Sequence, residues 1–70
     1  MTFEEFVQKV DAFYHVNQPD LRYGQSIMNT LYDAWSAKYN EIKNTDFDCF
    51  YDDRTAKFTL EKLEKEWIDS

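Results

Sequence analysis

Thr2-Phe3-Glu4-Glu5-Phe6-Val7-Gln8-Lys9-Val10-Asp11-Ala12-Phe13-Tyr14 is the stretch that sets the class of fold. Apolar side chains fall at Phe3, Phe6, Val7, Val10, Phe13 and Tyr14. That spacing makes one continuous stripe on a helix, whereas a strand would alternate. Glu4, Glu5, Gln8, Lys9 and Asp11 form the wet side. Thr2 stands where a hydroxyl can accept from the first free backbone N–H groups, and Glu5 follows at capping-box distance. Asn17 and Pro19 predict the end of the helix, because proline disfavours helical backbone before it and cannot donate an N–H.

The same period continues outward. Leu21, Ile27, Met28, Leu31, Trp35, Tyr39 and Ile42, flanked by Tyr32 and Ala34, predict one second helix. It starts within Pro19–Tyr23 and fades near Lys43 or Asn44. Gly24, the sole glycine, costs about 1 kcal/mol against alanine inside a helix. It therefore marks a close approach by another helix, or the helix start. Ala56, Leu60, Leu63 and Trp67, with Phe58 and Ile68 beside them, predict a third helix from about Arg54 to Ile68, capped by Asp52 or Asp53. Glu61, Lys62, Glu64, Lys65 and Glu66 make its solvated face. Between the second and third helices, residues 45–53 alternate aspartates with aromatics. Asp and Thr compete for backbone hydrogen bonds, so this segment reads as a structured loop with at most a single 3₁₀ or helical turn, plugged into the core by Phe47 and Phe50. The expectation is an all-α fold: a small three-helix bundle with a structured acidic and aromatic loop before the third helix, spanning 1–70 as a single helical domain.

A chain of 70 residues buries only about 60% of its unfolded surface. Six Phe, five Tyr and two Trp supply the apolar bulk needed to fold without staples. They are also more than one small core readily hides, which points to a self-contact or a partner surface. Cys49 is the only cysteine, so an internal disulfide is excluded. The first residues lack a basic segment and an apolar run, and no stretch approaches the ~20 apolar residues of a membrane span, so a cytoplasmic protein is expected. With 14 acidic and 8 basic residues the net charge is −6. Phosphate backbones would be repelled on average, which disfavours nucleic acid. The charge suits docking on a basic protein surface, and equally serves solubility.

Chemistry is sparse. Asp46, Asp48, Asp52 and Asp53 do not form a calcium loop: counting from Asp46, Tyr51 stands where glycine is needed and Lys57 where the bidentate Glu is needed. Caps and turns are the plain reading of these carboxylates, and a negative patch for a partner's Arg or Lys is the functional one. His15 is the lone histidine, with no nucleophile and orienting group at a spacing that suggests a triad. Cys49 lies among aspartates that raise its pKa, so it reads as a small buried hydrophobe. One glycine cannot build a phosphate loop, and one Cys with one His does not make a zinc site. No catalytic residue, metal or cofactor is expected. Arg22, Tyr23 and Gln25 open the second helix and fit either an anion contact at its N-terminus or, preferably, a fork from Arg22 to the Asp-rich segment.

Leu21-Arg22-Tyr23-Gly24-Gln25, then Asn29, Leu31 and Tyr32, then Thr45-Asp46-Phe47-Asp48 and Phe50-Tyr51-Asp52-Asp53, resemble a group of short uncharacterised proteins from phages and bacteria. The resemblance spans roughly residues 3 to 67. That group carries a proline where this chain has Cys49, which implies a less rigid turn here. It has no established activity, so the resemblance transfers no catalytic residue. It implies a phage-encoded accessory protein acting on a host protein.

The expected function is a small acidic protein-interaction module and not an enzyme. Its surface would combine Asp46, Asp48, Asp52 and Asp53 with Arg22 and the exposed aromatics Tyr23 and Tyr51. The alternatives are a homodimer closed by surplus aromatics and, behind it, nucleic-acid binding through Arg22, Lys38, Lys43, Arg54 and Lys57.

Overall fold

Helix α1 runs Phe3–Asn17 and opens on the capping box read from the sequence. The Thr2 hydroxyl accepts from the Glu5 N–H at 3.1 Å, and the Thr2 N–H donates to Glu5 Oε1 at 2.8 Å. The computed structural model describes residues 1–67. Those residues hold α1, α2 (Tyr23–Ala34), α3 (Ser36–Ile42) and α4 (Ala56–Glu66), with a 3₁₀ turn at Asp53–Thr55 and no strand. The fold is all-helical, as expected, but with four helices rather than three.

The difference arises at Trp35. The long second helix is broken there into α2 and α3 by one residue with φ −155° and ψ 75°. No proline or glycine causes the break. The Trp35 indole instead meets the edge of Trp67 from α4's end at 5.2 Å, with the Lys38 ammonium 4.9 Å above its ring. Leu31, Lys38 and Ile42 are all buried, so the apolar phase carries across the break and conceals it from periodicity.

Helix α2 is the hub, packing against α1, α3, the 3₁₀ turn and α4. Its Ile27, Met28 and Leu31 meet Phe6 and Val10 of α1, Ile42 of α3, Cys49 of the loop, and Ala56 and Leu63 of α4 in one core. Removing each large side chain from water stabilises the fold by about 1.5–3 kcal/mol. Around this core the rings of Phe3, Phe6 and Trp35 pack tilted or edge-on against Trp67, and the Trp67 Nε1–H donates to the Met1 carbonyl at 2.9 Å.

Three details depart from the stripe reading. Phe13 lies at the exposed margin of α1. Phe58 is 60% exposed, while Thr59 is fully buried and donates to the carbonyls of Phe47 and Thr55. Helix α4 ends at Glu66. The helix was expected to run on to Ile68, but Trp67 is already extended at φ −67° and ψ 131°, and Ile68 itself lies outside the described residues. Among the described residues no buried side-chain polar atom lacks a hydrogen-bond partner.

Candidate functional site

The loop between α3 and α4 is built from its own backbone demands. Just past the cap of α3, Asn44 lies in the left-handed region at φ 63°, a conformation asparagine tolerates beyond helix ends. The Asn44 N–H donates to Asp48 Oδ2 at 2.8 Å, and the Phe50 N–H donates to Asp48 Oδ1 at 2.9 Å. One carboxylate thus closes both sides of the turn. Thr45 Oγ1 donates back to the Ile42 carbonyl and accepts from the Phe47 N–H. Asp52 caps the 3₁₀ turn through the Arg54 N–H at 2.9 Å and takes the Arg54 guanidinium on both oxygens at 3.1 Å. Those two contacts with Arg54, with a smaller through-space contribution from Arg22, hold the Asp52 carboxyl below its ordinary range.

Asp53 reaches furthest. Its Oδ1 accepts from the Gly24 N–H at 2.9 Å, so a residue 29 positions downstream caps the first turn of α2. Beside it, the Cys49 thiol donates to the Gly24 carbonyl at 3.5 Å. This seam explains the glycine. A Cβ on Gly24 would land inside the van der Waals shell of the Cys49 carbonyl oxygen and 3.0 Å from Asp53 Oδ1. Gly24 sits at the start of α2, as one reading had it, and the close approach comes from the loop rather than from another helix.

The sequence-derived surface is therefore divided. Asp48, Asp52 and Asp53 serve backbone groups, while among the described residues Asp46 makes no side-chain hydrogen bond or ion pair. Tyr51 is 77% exposed, with its ring edge-on to Phe50 at 4.9 Å. Tyr23, expected as an exposed anchor, is half-buried: its hydroxyl donates to Asp11 Oδ1 at 2.8 Å and its ring packs edge-on to Tyr14. Burial, then the Asp11 carboxylate, push the Tyr23 phenol up to about 12. Arg22 does not make the expected fork, because Arg54, two residues away from Asp52, occupies that carboxylate. Among the described residues Arg22 forms no ion pair with the Asp cluster. The α2–loop tie exists, but Gly24, Cys49 and Asp53 make it. Of the two expected plugs, Phe50 packs against the core and Phe47 lies at its exposed margin, while Cys49 fills the interior.

Cys49 is fully buried, and its thiol is pushed up by burial first, with Asp48 and Asp53 adding to it. His15 is exposed and faces the Gln18 amide at 3.4 Å. Among the described residues no three of His, Cys, Asp and Glu gather to hold a metal ion, and no helix is long and apolar enough to cross a membrane.

One cluster escaped the sequence reading. Lys38 is only 7% exposed, its ammonium 2.6 Å from Glu41 and 2.8 Å from Glu66, and Lys62 reaches Glu66 at 2.6 Å. Burial pulls the Lys38 ammonium down, but the bonds to Glu41 and Glu66 outweigh it and raise the pKa. The Glu66 carboxyl, bonded to Lys38 and Lys62, is held down at about 2. Lys38 is thus a nearly buried cation joining α3 to α4. Its position four before Ile42 and seven after Leu31, on the buried phase, was the available signal.

The chain matches no family model, no curated protein and no solved structure.

Proposed function

We propose that this protein is a small acidic interaction module that binds another protein rather than transforming a substrate. The observation that carries the reading is the contrast inside the loop. Its frame is tied to α2 and to itself by Asp48, Cys49, Asp52 and Asp53, while Tyr51 and Asp46 are left to solvent. An aromatic ring and a charge held on a framed loop lose little freedom on binding, which is how a compact surface gains affinity. A net charge of −6 favours a basic partner. The resemblance of residues 21–32 and 45–53 to short phage and bacterial proteins supports a host protein as that partner, met in the bacterial cytoplasm.

The test is capture from bacterial lysate with tagged protein at low and moderate salt, comparing the parent with Tyr51→Ala and Asp46→Asn. Neither side chain supports the fold, so both variants should keep their helix content. A host protein captured by the parent and depleted with Tyr51→Ala supports the assignment. Capture that ignores both changes removes this loop as the binding surface.

A homodimer is the second reading, favoured by Val16, 81% exposed, and Phe58, 60% exposed. Sedimentation showing only monomer at tens of micromolar, roughly where weak dimers populate, counts against it.

A further inference from the structure

Beside the exposed Tyr51 lies a small hollow of about 160 Å³, between the end of α3 and the loop. Met28 floors it, Tyr39, Phe50 and Tyr51 wall it, and Lys43 and Asp48 stand at its rim. It is smaller than the ~300–1,000 Å³ of a drug-sized ligand site, and suits one side chain. Three of its features select for a cation. Ring faces attract positive charge through their quadrupole, most strongly when water is excluded. Phe50 and Tyr51 meet at 70°, which gives two walls of a corner. The Asp48 carboxylate, fixed by two backbone N–H groups, puts negative charge on the rim, and each of its oxygens retains acceptor capacity. The chain already places a cation here: the Lys43 ammonium stands over the Tyr39 ring at 5.9 Å. Lys43 is exposed and forms no ion pair among the described residues, so a stronger cation can displace it.

We propose that this hollow receives an arginine or lysine side chain from a basic segment of the partner protein, with Lys43 as an internal competitor for the same ring. The inference rests on the interaction reading above and names the chemistry of its partner. Asp46 and the net charge of −6 draw the basic segment in, and Tyr39, Phe50, Tyr51 and Asp48 hold its inserted side chain.

The probe is a fluorescently labelled oligo-arginine peptide, with its uncharged citrulline counterpart as control, followed by anisotropy at low and moderate salt. Tyr51→Ala leaves the net charge unchanged, so long-range attraction cannot account for its effect; it is expected to weaken binding roughly fivefold, the size of one cation–π contact. Lys43→Gln and Lys57→Gln each remove one positive charge. Lys43→Gln is expected to tighten binding by at least twofold more than Lys57→Gln, because only Lys43 vacates the Tyr39 ring. The ring resonances of Tyr39, Phe50 and Tyr51 are expected to shift with the arginine peptide and not with the citrulline one. The proposal is overturned if Tyr51→Ala binds like the parent while Lys43→Gln and Lys57→Gln tighten binding equally, since that is attraction by net charge alone. It is also overturned if these ring resonances move with protein concentration in the absence of peptide, since a second copy then fills the hollow. Either result leaves the lysate experiment to decide whether the protein is an interaction module at all.

Discussion

Two regions hold this chain together by different means. The seam between α2 and the loop is made of backbone and small groups at contact distance: Gly24 against the Cys49 carbonyl, the Gly24 N–H on Asp53, and the Cys49 thiol on the Gly24 carbonyl. The junction of α1, α3 and α4 is made of large side chains and charges: Phe3, Phe6 and Trp35 packed around Trp67, with Lys38 bridging Glu41 and Glu66. The seam has no room for one added carbon. The junction gains its stability from the area its large side chains bury. Specificity of shape is concentrated in the first and bulk stabilisation in the second.

The largest expected effect tests the second region. Phe6→Ala removes a fully buried ring and should cost about 3–5 kcal/mol. That approaches the whole stability of a domain this size, on the order of 0.05–0.15 kcal/mol per residue, so circular dichroism should find the variant largely unfolded. Gly24→Ala tests the first region. It adds one methyl group at a helical position that would ordinarily gain from alanine, yet the clash with the Cys49 carbonyl should cost about 3 kcal/mol by urea titration. A stabilised Gly24→Ala variant would show that the seam is not close-packed.

Smaller effects sharpen the comparison inside the acidic segment. Asp53→Ala strips the cap from α2 and should cost about 1–2 kcal/mol, whereas Asp46→Ala should stay within about 0.5 kcal/mol. Equal costs would mean that Asp53 is not a cap.

The Glu66 carboxyl lies at about 2 when folded against an ordinary 4.5, so its contribution is complete above pH 4.5 and is lost as pH falls toward 2. Both tryptophans pack beside that cluster, and their fluorescence should report the acid transition, shifted upward in pH by Lys38→Met. Tyr23 runs the other way. Its phenol at about 12 against an ordinary 10 stabilises the fold below pH 10 and ceases to as pH rises toward 12. Tyrosinate absorbance should show Tyr23 titrating late, and Asp11→Asn should lower its titration only in part, since burial, the larger cause, remains.

Much of the local structure was legible because it depends on near neighbours. The α1 capping box joins residues three apart, and the turn chemistry of Asp48 and Asp52 acts within four residues. Cys49 as a buried hydrophobe followed from its lack of any activating cation. The misread residues are those whose partners are distant. Arg22 was the expected partner of the Asp segment, but the 3₁₀ turn put Arg54 on Asp52 instead. Tyr23 looked free until α1 brought Asp11 within 2.8 Å.

The amino-acid sequence by itself determined that the chain is helical, where α1 begins, most of the apolar stripe that the helices bury, and that residues 45–53 leave the helical path. Each of these follows from side-chain period and backbone hydrogen-bond competition over a few residues. Only the tertiary structure decided that the middle helix breaks at Trp35, that Lys38 is buried between two glutamates, and that Asp53 caps a helix begun 30 residues earlier at Tyr23. Those outcomes depend on which distant groups meet once the core closes, and an ammonium, an indole or a carboxylate looks the same in sequence whether its partner is water or another helix.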